Sequence, residues 1–231
     1  MSNVTASAYC PEMFKKWSEK ELSDLDEALN EALKPEQQVE PKKVSMGVIM
    51  TGGVRVTQRD REKNDHYPTP PEATAALMKA WCPEGDVWEP CAAQGKLSDV
   101  VQKYKPSSRI FLSDIDPRRD DVEKLDFLSA TKAPADDLTI ITNPPFKYAE
   151  KFIRKGFELG IKRQAFLLKA TYFHASTRTD FFYQHRPSHV FALNWRLDFM
   201  NLGRPVMECA WFVYDSPCAA TTVYDVLSKP I

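Results

Sequence analysis

The tetrapeptide Asn143-Pro144-Pro145-Phe146 follows directly on the apolar run Leu138-Thr139-Ile140-Ile141-Thr142. Such a run reads as a strand, and the double proline ends it, since proline has no N–H to give and a fixed φ. The tetrapeptide therefore stands at the carboxyl end of a strand, where open α/β sheets hold their ligands. There the Asn143 side chain and the Pro144 carbonyl are two fixed hydrogen-bond acceptors, stiffened by Pro145. The nitrogen of a planar amino group is a poor nucleophile because its lone pair is delocalised. Two acceptors gripping its hydrogens hold it closer to tetrahedral and free the lone pair for attack. Phe146 adds a flat apolar surface on which an aromatic ring can stack.

Three further groupings precede it. Glu89-Pro90-Cys91-Ala92-Ala93-Gln94-Gly95 is a loop of short residues after the strand Asp86–Glu89, and it lets a ligand approach the backbone. Asp114 and Asp116 lie about twenty residues further on, at the end of a second strand, where a carboxylate is placed to grip a ribose diol. Asp126-Phe127 pairs a loop acid with an aromatic. Upstream, Tyr67-Pro68-Thr69-Pro70-Pro71-Glu72 predicts a helix start, with Thr69 as N-cap, Pro70 at the first helical position and Glu72 closing a capping box.

The elements that carry these groups alternate between strand and helix from residue 67 onward, which predicts a mostly parallel sheet covered by helices on both faces. Strands are expected at 86–89, 109–113, 138–142 and 164–168, and helices at 97–104 and 148–159. Residues 190–195 and 208–214 read as two strands joined by about a dozen residues, too few for a crossover helix, so they should pair antiparallel. Residues 1–65 form a separate extension. Leu22, Leu25, Leu29 and Leu33 predict an amphipathic helix there, 44–50 and 54–58 a hairpin, and Arg55, Arg59, Arg61 and Lys63 a basic arm.

The 231 residues are 43% hydrophobic and 27% charged, a balance that excludes a disordered tail or a disulfide-stapled miniprotein. Lys and Arg number 31 against 32 Asp and Glu, but the near-neutral sum hides an asymmetry. Residues 1–40 hold 4 basic and 9 acidic side chains (net −5), residues 147–204 hold 11 and 4 (net +7). A basic half after the Asn-Pro-Pro-Phe element suits a polyanion. Within it, Lys169, Arg178, Arg186, Arg196 and Arg204 are interleaved with Tyr172, Phe173, Trp195 and Phe199, a mixture suited to phosphates and an unstacked base. Five cysteines without a Cys-x-x-Cys pair give no zinc pattern and suit a reducing compartment. No apolar run is long enough to span a bilayer, so a cytoplasmic protein without metal or membrane attachment is expected.

Taken in order, these motifs resemble those of the amino-directed DNA methyltransferases of the class I, S-adenosylmethionine (SAM)-dependent superfamily, in particular the small adenine methyltransferases of phages and prophages. The resemblance covers about residues 66–216 and includes Arg196-Leu197-Asp198-Phe199 and Ala210-Trp211-Phe212-Val213. It implies a Rossmann-like class I methyltransferase fold, SAM as cofactor and DNA as partner. By the same resemblance Asn143 and Pro144 orient the amine, Phe146 stacks the extruded base, and Asn rather than Ser at the first position favours adenine over cytosine. Glu89, Ala93, Gly95, Asp114, Asp126, Phe127 and Thr69 are then cofactor contacts, with Asp114 on the ribose and Phe127 packed on the adenine ring. Ala93 stands where the family has the first glycine of its loop. Lys169, Arg178, Arg196 and Phe199 are the expected DNA contacts. An RNA adenine, a protein glutamine amide or a SAM-binding module without catalysis are the alternatives, and the short stretch after Phe146 leaves no space for a separate base-reading domain.

Overall fold

A computed structural model describes Lys20, residues 68–199, Pro205 and residues 207–230. The helix expected over 22–33, the hairpin over 44–58, the basic arm and the boundary at 65 lie outside the described residues.

The described chain begins with helix α1 (Pro71–Ala80), strand β1 (Asp86–Glu89), helix α2 (Lys96–Tyr104), and strands β2 (Ile110–Asp114) and β3 (Glu123–Lys124). Strand β4 (Leu138–Thr142), helix α3 (Ala149–Glu158) and strand β5 (Arg163–Lys169) follow. Helix α4 (Thr179–Gln184) and strands β6 (His189–Leu193), β7 (Cys209–Tyr214) and β8 (Val223–Leu227) complete it, with short 3-10 turns at 127–129, 146–148, 170–173 and 176–178. Among the described residues the strands form an eight-stranded sheet in the order β3-β2-β1-β4-β5-β7-β6-β8. β7 runs antiparallel to both neighbours, β5 and β6, and the remaining pairings are parallel. The expected antiparallel pair of β6 and β7 is present, and β7 is inserted between β6 and the rest of the sheet. β3 and β8 are additions to the expected set.

Successive strand residues face opposite sides, so each central strand feeds two cores. Ile141, Leu167, Trp211 and Val213 pack with Ala73, Leu77, Leu97 and Val101 of α1 and α2. Ile140, Phe166, Leu168, Phe212 and Tyr214 pack on the other face with Phe152 and Ile153 of α3 and Phe181 of α4. Each of these large apolar side chains contributes about 1.5–3 kcal/mol by leaving water. The fully buried Trp211 gives its indole N–H to the Ala73 carbonyl at 2.9 Å, fastening α1 to β7.

The start of α1 departs from the sequence expectation. The helix begins at Pro71, Pro70 occupies the N-cap position without any side-chain cap, and the Ala73 amide donates to the Pro70 carbonyl at 3.0 Å. Two successive prolines both fit the first turn, and the second takes it. Thr69 is thereby released from capping and is buried. α3 crosses the sheet closely enough that a Cβ on Gly156 would sit 2.1 Å from the Gln164 side-chain oxygen, which explains a glycine inside a helix. Among the described residues no helix is long and apolar enough to cross a membrane.

Candidate active site

β1 and β4 are parallel neighbours with Trp88 opposite Ile140, so the loops after Glu89 and Thr142 leave the sheet side by side. The β1 loop is then folded back by its own backbone. The Gly95 amide donates to the Ala92 carbonyl, Gly95 takes φ +73° as the N-cap of α2, and Ala93 takes φ +45°. For a residue with a Cβ the left-handed region costs about 1–2 kcal/mol, which a glycine at the same place would not incur. Gly95 is required twice over, because a Cβ there would also lie 2.2 Å from the Arg119 guanidinium, itself held by Asp99 at 2.8 Å and by Asp121.

Buried carboxylates hold this loop. Glu89 accepts the Ser98 amide at 3.0 Å across the first turn of α2, and burial pushes its carboxyl well above the usual range, opposed by that hydrogen bond. Asp114 is buried at the end of β2 and uses both oxygens on backbone. One accepts the Ala93 amide at 2.9 Å and the other the Asp116 amide at 2.8 Å. Asp114 therefore ties the β1 and β2 loops together, while Asp116 is exposed in the turn. Burial pushes the Cys91 thiol well up, and the carboxylates of Asp114, Glu89 and Asp126 add to that shift, so Cys91 stays neutral in an acidic environment.

A cleft at this edge is lined by Pro68, Thr69, Glu89, Cys91, Ala92, Ala93, Gln94, Lys96, Leu97 and Asn143. It unites four of the expected residues, Thr69, Glu89, Ala93 and Asn143, from three separate segments, and Asp114 borders it through the Ala93 amide. Pro144 is buried. Phe146 is half-buried against both cores, with the Lys169 ammonium 5.5 Å from its ring centroid. The residue after Asp114, Ile115, is outside the expected set and is 59% exposed at the carboxyl end of β2. Its signal is the placement of a large apolar residue directly behind a strand-end acid.

Other expected residues are placed differently. Asp126 is exposed and caps the 3-10 turn that follows, accepting from the Leu128 amide at 3.0 Å and the Ser129 hydroxyl at 2.8 Å. Phe127 is only 2% exposed, stacked on Phe152 at 4.9 Å and edge-on to Trp88 at 5.1 Å, so it belongs to the core and presents no face to a ligand. Phe199 is likewise buried in the opposite core, and Tyr172 is buried too. Arg178 lies on the Tyr172 ring at 4.3 Å and donates to the Tyr172 carbonyl, so it holds the 3-10 turn at 170–173. Arg196 is paired with Glu208 at 2.7 Å. Among the described residues no cluster of three or more His, Cys, Asp or Glu is arranged to hold a metal.

No family model matches the sequence. No curated protein matches it either. Solved structures do resemble it. A protein described as a candidate class I SAM-dependent methyltransferase from Listeria monocytogenes superposes with a TM-score of 0.51 at 13% identity, over 72% of this chain and 67% of that one. The methyltransferase subunit of a type I restriction-modification system from Streptococcus thermophilus gives 0.50 at 10% identity over 71% of this chain, which spans about half (48%) of that subunit. At such identities the likeness is one of architecture, and the chain has the Rossmann-like α/β fold of the class I methyltransferases.

Proposed function

We propose that this protein transfers the methyl group of SAM to the exocyclic N6 amine of adenine in DNA. The observation that carries the reading is the cleft in which Asn143, from the β4 end, meets Glu89 and Ala93 of the β1 loop and Thr69 ahead of α1. The cleft has polar lining for a cofactor, with the Glu89 side chain on its wall and the Asp114 carboxylate behind it, bound to the Ala93 amide. Its backbone is shaped by the loop itself, with Ala93 and Gly95 both at positive φ. When bound, SAM supplies an electrophilic methyl carbon.

The chain's own residues do the rest. Asn143 and Pro144 accept the two hydrogens of the adenine amine and turn its lone pair outward, and Phe146 carries the extruded base on its ring. No protein base is needed before attack, because the amine proton becomes acidic only once the nitrogen is methylated, and it then passes to solvent water. Asp114 is assigned to the ribose diol and, through Ala93, to the shape of the loop. Asp126 keeps lone pairs for the cofactor's amino group beyond its capping bonds. Sequence preference is expected to be relaxed. Between Phe146 and Tyr214 the described chain is occupied by the sheet and its helices, leaving little material that could read a groove.

The deciding experiment is incubation with labelled SAM and DNA, RNA or protein, followed by nucleoside and amino-acid mass analysis. N6-methyladenine in the DNA, spread over many sequence contexts, is the expected product. Label confined to RNA or to glutamine would replace DNA by that substrate, and no transfer to any polymer would leave only a binding module.

A further inference from the structure

The residues after the catalytic tetrapeptide form a feature that the methyl-transfer reading does not use. The Tyr148 amide donates to the Pro145 carbonyl at 2.8 Å and closes the 3-10 turn Phe146–Tyr148. In that turn Phe146 packs against the cores while Tyr148, two residues later, stays 38% exposed. The Lys147 ammonium lies 4.6 Å from the Tyr148 ring centroid and that of Lys151, on the first turn of α3, at 5.8 Å. Two ammonium groups thus converge on one solvent-facing aromatic ring beside the cleft.

Ion pairing sets these lysines apart from four basic neighbours in the same segment, Arg154, Lys155, Arg163 and Arg196. Arg154 is paired with Glu150, Arg163 with Asp137 and Arg196 with Glu208. Among the described residues neither Lys147 nor Lys151 has a carboxylate partner. Lys162 also lacks an ion pair there, but it precedes β5, at the opposite edge of the sheet from Asn143. Positive charge just after Asn143 is thus gathered around Tyr148, next to the Lys169 ammonium over the Phe146 ring. Two ammonium groups sharing one ring repel each other, and that repulsion is relieved by an anion lying between them.

We propose that Tyr148, with Lys147 and Lys151, is a second DNA contact, in which the ring stacks on the nucleotide next to the target adenine and the two lysines meet the flanking phosphates. This rests on the reading of Asn143–Phe146 as a base-modifying site. A base leaving the helical stack deprives its neighbour of a stacking face, and an exposed aromatic ring one turn from Phe146 replaces that face. Cations beside the ring answer the phosphates that accompany every nucleotide. A solvated helix start would need neither the exposed aromatic ring nor two ammonium groups converging on it.

The test uses the full chain as wild type, Tyr148→Ala, Tyr148→Phe and the double variant Lys147→Ala/Lys151→Ala, each checked for an unchanged melting curve. The probe is a duplex with a single adenine and 2-aminopurine beside it. Binding is followed by anisotropy from low to moderate salt, and methylation by steady-state kinetics. The double lysine variant should lower the slope of log K against log salt by about 1.8, the two-phosphate value, and raise KM for DNA roughly tenfold with kcat within about threefold. Tyr148→Ala should raise KM similarly and abolish the fluorescence change of 2-aminopurine, and Tyr148→Phe should retain both. A salt slope and KM unchanged in both variants would overturn the contact while leaving the methylation reading standing. DNA binding that needs Tyr148 without any methylation would do the reverse, and preferential binding of single-stranded RNA would overturn DNA as the occupant.

Discussion

Replacing Asp114 by Asn tests how the loop after β1 is held and, with it, the proposed cofactor site. The change preserves shape but removes an acceptor, because the carboxylate serves two backbone amides, Ala93 at 2.9 Å and Asp116 at 2.8 Å, and the Asn side chain can accept only one of them. The other amide then faces an NH2 group. Stranding a buried donor costs about 1–3 kcal/mol, and weakening the surviving bond from charge-assisted to neutral adds about 1 kcal/mol, giving roughly 2–4 kcal/mol in total. The loss falls on the loop first, because Ala93 sits at φ +45° against its own preference and leaves that region once its amide is released. The expected result is a 10- to 100-fold weaker affinity for SAM by titration calorimetry, with a lowered melting temperature. Ala93→Gly supplies the control. Glycine adopts positive φ freely, so combined with Asp114→Asn it should recover about fivefold in affinity, the equivalent of roughly 1 kcal/mol, while changing the parent protein little. Affinity within twofold of the parent in Asp114→Asn would remove Asp114 from the cofactor site. Equal effects of Ala93→Gly in both backgrounds would refute the strain coupling.

Asn143→Ala is expected to lower methyl transfer by at least about a thousandfold with SAM affinity within threefold, measured by label incorporation beside calorimetry; retained turnover would sink the amine-gripping mechanism. Gly156→Ala should destabilise the fold by about 1–3 kcal/mol in urea unfolding, since the new Cβ meets the buried Gln164 side chain at 2.1 Å and Gln164 is anchored by its bond to the Ile161 carbonyl. Glu89 has a folded-state pKa raised by burial, so above the ordinary glutamate range the folded state binds more protons than the unfolded one, and stability should fall as pH rises toward the raised value. Glu89→Gln, which keeps an acceptor for the Ser98 amide, should flatten that dependence in melting curves taken across pH; an unchanged slope would assign the dependence elsewhere.

The strand that precedes Asn143 was legible because its signals were local. Leu138–Thr142 is an apolar run that the double proline must end, and the strand stops there. The antiparallel entry of β7 followed from a connection too short for a crossover. Long-range placement was not legible. Phe127 and Phe199 have the side chains of base-stacking residues, yet their surroundings come from distant segments: Trp88 and Phe152 enclose Phe127. Likewise nothing adjacent to Arg196 announces that Glu208 across the loop will neutralise it. β8 gave no readable pattern, since four of its five residues are exposed and only Leu227 is buried, so its place beside β6 leaves no alternation in the sequence. At α1 the signals were present but degenerate, with Pro70 and Pro71 both suited to the first helical position.

The indole bond from Trp211 to the Ala73 carbonyl joins residues 138 positions apart, and it has a consequence for how the protein is made. Thr69, on the wall of the cleft, precedes a helix whose seat is provided by a strand synthesised near the end of the described chain. On the ribosome α1 emerges long before β7, and a contact of such long range closes slowly. The nascent α1 can pack on α2 as soon as both have emerged, but its bond to Trp211 closes only after β7 has left the exit tunnel. The last fastening of the helix that follows Thr69 is thus a late event in biogenesis.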